Sequence, residues 1–447
     1  MLKTITRIFK PFFVEIRKSK LRIIKSSGLL PIYNFILKSP LKEIIDDEFY
    51  DRRNQKLIQY LVSEFLLSIV LRLIDGSIRL YHFRHKVNDE MFSKLFKTGR
   101  VPHFTTLIYF LKRNISHAHV SLERILFRYS IWVLKQEIQS RSLRSITIDV
   151  DATASTIYGN QEGAEKGYNP EKRNAKCYQL QVWSVRETKT LLKVELRKGS
   201  VHCSNGFFSD IKILVPELKK LGVKIRFVAD SGYENYEVFD YLEARGVGFI
   251  IAQKQRKKVK TAGKWAKNRQ NSRKYDCTLK ERPLETKKGT YRQIFIQVDK
   301  VYDEDGQLFI VDFVSDEFTN VFATNMALTA ENIYGLYREH AQVETIIGEL
   351  KSGFGSVKSH CEKFDVNQSL TQLCGIAYNI KTLYASRILK CNERIPDIKT
   401  LREEELHIPG YFTNHSGKKV FNTAGSSFKR FSMIFNRVND FQSIGQV

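Results

Sequence analysis

The sequence predicts an α/β protein whose mixed sheet is interrupted by a β-rich insertion and preceded by an all-helical N-terminal region. Three observations carry this. Residues 1–140 place apolar side chains at helical spacing, most clearly through 56–74 and 119–138, with few β-branched runs. From 143 onward, β-rich stretches alternate with helical ones in the order strand, strand, strand, helix, strand, helix, strand. After 253 a strongly basic segment and more β-rich sequence break that order, and helical spacing returns at 329.

The first 28 residues carry eight Lys/Arg and one Glu. They lack the long apolar centre and small-residue cleavage site of a secretory signal, and read as a DNA-contacting arm or a solvated helix face rather than a transit peptide. The run LVSEFLLSIVLRLI (61–74) is broken by Glu64 and Arg72, so it predicts an amphipathic helix, not a membrane span. In KLFKTGRVPHFTTLIYFLKRN (94–114), Gly99 separates two helices; Thr105 or Thr106 caps the second, and Lys112 and Arg113 end it. This is either a basic helix–turn–helix or a helical hairpin with a solvated basic face.

LRSITIDVDAT then predicts a strand ending near Asp149–Asp151, followed by strands at 177–187 and 191–202 and a helix over 205–221. A strand at 223–233 runs into Asp230, a helix covers 234–245, and 247–253 is a short apolar strand. Residues 254–274 hold ten Lys/Arg and no acidic residue, with Trp265 in the middle. Residues 290–317 read as two strands joined by an acidic turn at 303–306, and helices follow at 329–352 and about 366–389. The expected divisions are 1–140 (helical, DNA-binding), 141–253 (core, first part), 254–320 (basic β-rich insertion), 321–390 (core, second part) and 391–447 (basic C-terminal region).

The chain has 447 residues, 73 Lys+Arg against 48 Asp+Glu, and a net charge of +25. With 42% hydrophobic and 12% aromatic residues it can bury a real core, which excludes disorder as its main state. The charge imbalance points to a polyanion, nucleic acid first; a generally lysine-rich proteome is the plain alternative. Six scattered cysteines without a CxxC pair argue against a zinc site or disulfide scaffold and fit a reducing, cytoplasmic compartment.

Three carboxylates stand out. Asp149 and Asp151 are two apart on one strand, so both face the same side, and Asp230 ends another strand before a glycine turn. Strand-end acids of an α/β core project where ligands bind, although each one singly suits a cap or turn equally well. In the helix YREHAQVETIIGELKSGFG (337–355), Tyr337, His340, Glu344 and Lys351 fall on one face beside the apolar stripe Leu336, Val343, Ile347 and Leu350. Glu339 and Glu349 lie off that face, so Glu344 is the acid held next to the core; the plain alternative is a solvated amphipathic helix. Together two Asp and one Glu can hold two divalent ions about 4 Å apart for phosphodiester chemistry.

These segments resemble the DDE-type transposases of bacterial insertion sequences, which carry a ribonuclease-H-like catalytic domain. The most specific element is the helix signature Y-x2-R-x3-E-x6-K, met here by Tyr337, Glu344 and Lys351, with His340 where that family usually has Arg. DVDAT (149–153) resembles the first-aspartate motif and favours Asp151 over Asp149. VADSGYENYEVFDYLEARGVGFII (228–251) resembles the second-aspartate strand and places that acid at Asp230. QEGAEKGYN (161–169), LRKGSVHCSNGF (196–207), FRHKVNDEMF and TTLIYFLKRN also fit, over about residue 75 to the C-terminus.

The resemblance implies cut-and-paste DNA transposition. Asp151, Asp230 and Glu344 would be both the catalytic residues and the ligands of two Mg²⁺ ions, with Mn²⁺ able to substitute. Tyr337, His340 and Lys351 would contact DNA near the cut, and Lys254, Arg256, Lys257, Lys258 and Trp265 of the insertion would grip its flank, Trp265 being open to stacking or to packing. The implied partners are double-stranded DNA, as terminal inverted repeats and as target, and a second copy of the chain in the DNA complex. No membrane is implied; the expected location is the bacterial cytoplasm, on the nucleoid when bound. Two alternatives stay open: a catalytically inactive transposase-derived DNA-binding protein, and another two-metal DNA nuclease.

Overall fold

The computed structural model describes residues 23–53, 58–86, 90–95, 102–254, 270–272, 277–286, 289–298, 320–358, 360–392 and 394–442. The predicted helical region holds α1 (Leu29–Leu37), α2 (Leu41–Glu48), α3 (Val62–Ile74), α4 (Glu90–Leu95), α5 (Phe104–Arg113) and α6 (Ala118–Ser140). The cap of α5 differs from expectation: His103 Nδ1 accepts the Thr105 amide, so His103 rather than either threonine starts the helix.

The sheet core follows in the expected order. It comprises β1 (Ser145–Thr156), the two-residue β2 (Glu165–Lys166), β3 (Lys176–Val185), β4 (Thr190–Lys198), α7 (Phe207–Lys219), β5 (Lys224–Ala229), α8 (Tyr236–Glu243) and β6 (Gly248–Ala252). Its strands lie side by side as β4-β3-β1-β5-β6. β3 runs antiparallel to both β1 and β4, whereas β1, β5 and β6 are parallel, which is the ribonuclease-H-like arrangement. Ile146, Ile148 and Val150 of β1 bury into one face with Phe207, Ile211 and Leu214 of α7 and Phe239 of α8. By alternation, Asp149 and Asp151 are left facing the other side.

The insertion joins this same sheet. β7 (Gln270–Ser272), β8 (Cys277–Glu285), β9 (Thr290–Val298) and β10 (Asn320–Thr324) continue it as β6-β10-β9-β8-β7, antiparallel throughout. β7, β8 and β10 lay outside the sequence reading, and the expected acidic turn at 303–306 lies outside the described residues.

The predicted helix over 329–352 is a composite. α9 (Ala330–Arg338) gives way to a 3₁₀ turn over Glu339–Ala341, then α10 (Gln342–Glu349), then a π turn over Leu350–Phe354. After it come the long α11 (Phe364–Arg387), α12 (Ile398–Leu401), a hairpin of β11 (Gly410–His415) and β12 (Lys418–Thr423), and α13 (Gly425–Asp440).

The two chain ends are knitted together. Ile24 and Gly410 exchange backbone hydrogen bonds at 2.7 and 3.0 Å. The Arg402 guanidinium closes the end of α3 by donating to the carbonyls of Leu73 (2.7 Å) and Ile74 (2.8 Å), and it also reaches the Gly353 carbonyl at 2.9 Å. One buried apolar cluster runs from Ile24 through α11 to Phe441. Two of the short motifs also meet: a Cβ on Gly167 would stand 1.7 Å from the Gly199 carbonyl oxygen, so backbone packs on backbone there and only glycine fits.

Candidate active site

β1 continues five residues past Asp151, so its two aspartates sit inside the strand rather than at its end as expected. The pairing of β1 with β5 nevertheless stops at Val150 opposite Ala229. Asp151 and Asp230 are therefore the next residues on two neighbouring parallel strands, where the sheet splays open. Asp230 is half exposed, and Tyr337 of α9 donates its hydroxyl to Asp230 Oδ1 at 2.7 Å. The Tyr337 ring leans on Phe322 of β10, with centroids 4.2 Å apart. Burial, and then the Asp230 charge, push the Tyr337 phenol up, so it stays a protonated donor.

Asp149 has a different role. It is 1% exposed and accepts two hydrogen bonds from Arg186, Nη2 to Oδ1 at 2.6 Å and Nε to Oδ2 at 2.9 Å. His340 Nδ1 lies 2.8 Å from the same Oδ1. Arg186, just past the end of β3, also donates to the Leu336 carbonyl at 2.7 Å and to Glu339 at 3.1 Å. Asp149 is thus the dock that fixes the α9–α10 junction to the sheet, and Arg186 is the strap. Three hydrogen-bond contacts thus engage the Asp149 carboxylate, whereas Asp151 accepts only from the Ala152 amide among the described residues.

Asp151 carries the electrostatic signature of the site. Burial first, then the charge of Asp230, raise its carboxyl from 3.8 to about 6; Glu344 adds to the rise, and the Ala152 amide and His340 oppose it. Asp230 at the end of β5 and Glu344 of α10 thus both act electrostatically on Asp151 of β1. Glu344 is exposed on α10, the helix that packs against β1. Lys351, in the π turn, donates to the Ala154 carbonyl at 3.4 Å and stands 3.8 Å from Glu171, which keeps it over the far end of β1.

As the side chains stand, no group of three or more His, Cys, Asp or Glu among the described residues encloses a metal position. The donor set still suits a divalent cation in kind, because two Asp and one Glu offer hard oxygen donors, and burial together with the Asp230 and Glu344 charges makes an unneutralised Asp151 costly. Of the expected flank residues, Lys254 is exposed, with its amide donating to Glu234 at 3.2 Å. Arg256, Lys257, Lys258 and Trp265 lie outside the described residues.

Two functional contributors escaped the sequence reading. Arg186 gave only a weak signal, a charge closing an apolar strand. Glu349 is largely buried, pairs with Lys381 of α11 at 2.8 Å and accepts the Ile398 amide at 2.7 Å, which anchors the end of α10. His340 also departs from a phosphate-facing residue: it is 6% exposed and wedged between Asp149 and Asp230.

A family model described as transposase DDE domain group 1 matches residues 14–427. No curated protein matches the sequence. Among solved structures, the piggyBac transposase synaptic complex with hairpin DNA aligns at 12% identity with a TM-score of 0.41, over 85% of this chain and 79% of that one. The family assignment therefore rests on the sequence match.

Proposed function

Because the chain belongs to the DDE transposase family, we propose that it is an active cut-and-paste transposase of a bacterial insertion sequence. The observation that carries this is that Asp151 and Asp230 follow directly on the last paired residues of two neighbouring parallel strands, with Glu344 acting on Asp151, whose carboxyl burial and then the Asp230 charge raise to about 6. Its substrates are the element's terminal inverted repeats and a target duplex. In the first step water attacks a phosphorus at the element end, and the P–O3′ bond breaks to free a 3′-OH. In the second, that 3′-OH forms a bond to a target phosphorus and displaces the target's own 3′ oxygen.

Asp151, Asp230 and Glu344 would hold divalent cations, Mg²⁺ or Mn²⁺, which would supply charge neutralisation for the attacking and leaving oxygens. Tyr337 orients Asp230 through its 2.7 Å hydrogen bond, and Lys351 offers its ammonium beside the path of the backbone. The net charge of +25 supplies the sequence-independent grip on phosphate, with Lys254, Arg256, Lys257, Lys258 and Trp265 on the flank and the 1–140 region reading the repeats. Two copies act on two ends. Among the described residues no helix is long and apolar enough to cross a membrane, and we place the protein in the cytoplasm, on the nucleoid when bound.

The test is purified protein, Mg²⁺ and linear DNA carrying this gene with its flanks, every new end being mapped by sequencing. Paired breaks at matching inverted repeats, lost with EDTA and with Glu344→Gln, are the expected result. Salt-sensitive binding at those repeats without breaks would leave a DNA-binding relic instead.

A further inference from the structure

The geometry points to His340 as a nitrogen ligand of the cation held by Asp230, so that this site is a mixed N,O site rather than an all-carboxylate one. The inference rests on the proposed metal-dependent reading of the same cluster and deepens it. Its first support is an orphan: His340 is 6% exposed, and its Nε2 has no hydrogen-bond partner. A buried ring nitrogen left empty is costly, and a protein keeps one when something else fills it.

The second support is distance. Nε2 stands 4.0 Å from Asp230 Oδ1. Two donors sharing one ion at bond lengths of about 2.1 Å lie about 3 Å apart at a right angle and about 4 Å apart on opposite sides. One cation therefore fits between them without displacing either main chain.

The third support is the ring's other nitrogen. Asp149 accepts, so His340 Nδ1 donates in their 2.8 Å contact, which leaves Nε2 as the ring nitrogen on the Asp230 side, 4.0 Å from Oδ1. A carboxylate–histidine pair of this kind is how metal-binding imidazoles are ordinarily oriented and made more basic. Arg186 in turn holds Asp149 through two hydrogen bonds, so the ring cannot swing away. The Tyr337 ring, 5.8 Å from that of His340, walls off the remaining side.

A nitrogen donor changes which ion the site prefers. Mg²⁺ favours oxygen, whereas Mn²⁺ and the later first-row ions accept imidazole readily. The protein should therefore bind Mn²⁺ more tightly than Mg²⁺, and Lys or Arg at position 340 could not support that preference.

The experiment uses the full-length protein loaded with Mn²⁺ alone, in wild-type, His340→Gln and Asp151→Asn forms. Pulsed EPR is recorded on unlabelled protein and on protein labelled with ¹⁵N-histidine. The expected result is nitrogen modulation on the bound Mn²⁺ that shifts with the label, is absent in His340→Gln, and is accompanied there by at least about tenfold weaker Mn²⁺ binding. The labelled wild-type spectrum decides the question even if His340→Gln folds poorly. Stoichiometric Mn²⁺ that depends on Asp151 but shows no histidine coupling overturns the ligand assignment, and leaves His340 as a contact to carboxylate alone. Failure of the wild-type protein to bind Mn²⁺ at all overturns the underlying metal-site reading instead.

Discussion

Two aspartates two residues apart on β1 should respond oppositely to loss of charge. Asp149→Asn removes the negative charge and one of the two oxygens that accept from Arg186, at 2.6 and 2.9 Å, in a place where both partners are almost fully enclosed. The amide nitrogen of Asn would face an N–H, and Arg186 would keep only the half-exposed Glu339 as counter-charge. Breaking one side of such a buried pair costs about 3–5 kcal/mol. Asp151 behaves in the reverse sense. Its carboxyl rises from 3.8 to about 6, so its contribution to stability is full below pH 3.8 and lost as pH rises through 6. At pH 7.5 without divalent ions, Asp151→Asn should therefore stabilise the protein by up to about 3 kcal/mol. Urea unfolding of both variants with EDTA measures this, and plasmid cleavage with Mg²⁺ measures function. Asp151→Asn should abolish cutting while holding or raising stability. A stable Asp149→Asn protein that does not cut, together with an Asp151→Asn protein that does, would falsify the assignment of dock and ligand.

Other outcomes follow from the same structure. His360 accepts the Leu80 amide at Nδ1, and burial first, then Arg79, lower its pKa from 6.5 to about 4. Its stabilising effect is present above pH 6.5 and should fade as pH drops through 4, by about 3 kcal/mol in total; acid unfolding curves of His360→Gln should lack that component. Lys381→Met leaves Glu349 without its cation and should cost about 3–5 kcal/mol in urea unfolding. Tyr337→Phe should slow cleavage with little change in DNA affinity, checked by single-turnover assays at saturating protein. DNA affinity itself should fall by orders of magnitude between about 50 and 200 mM salt, readable by fluorescence anisotropy.

The sheet core was legible because its period-2 apolar alternation is local: the strands expected at 177–187 and 247–253 appear at Lys176–Val185 and Gly248–Ala252. The helix over 329–352 was legible as a face, but its 3₁₀ and π turns were not. They arise where Arg186 pulls on the Leu336 carbonyl and where the chain turns to deliver Lys351, and both are contacts between residues far apart in sequence. The same limit hid Asp149. Strand alternation gives it the same face as Asp151, and only the partner from the end of β3 separates a buried anchor from a cleft acid. β8 escaped because CTLKERPLE mixes charges and a proline into a strand.

The Arg402 clasp on α3 also has a consequence in time. Its bond to the Ile74 carbonyl spans 328 residues. At roughly 5–20 residues per second, a ribosome needs on the order of tens of seconds to supply that arginine after α3 has emerged. The apolar faces of α1 and α3 wait through that interval for α11 and α13, which cover them. Until that interval ends, the N-terminal helices lack the cover that α11 and α13 give them in the folded chain.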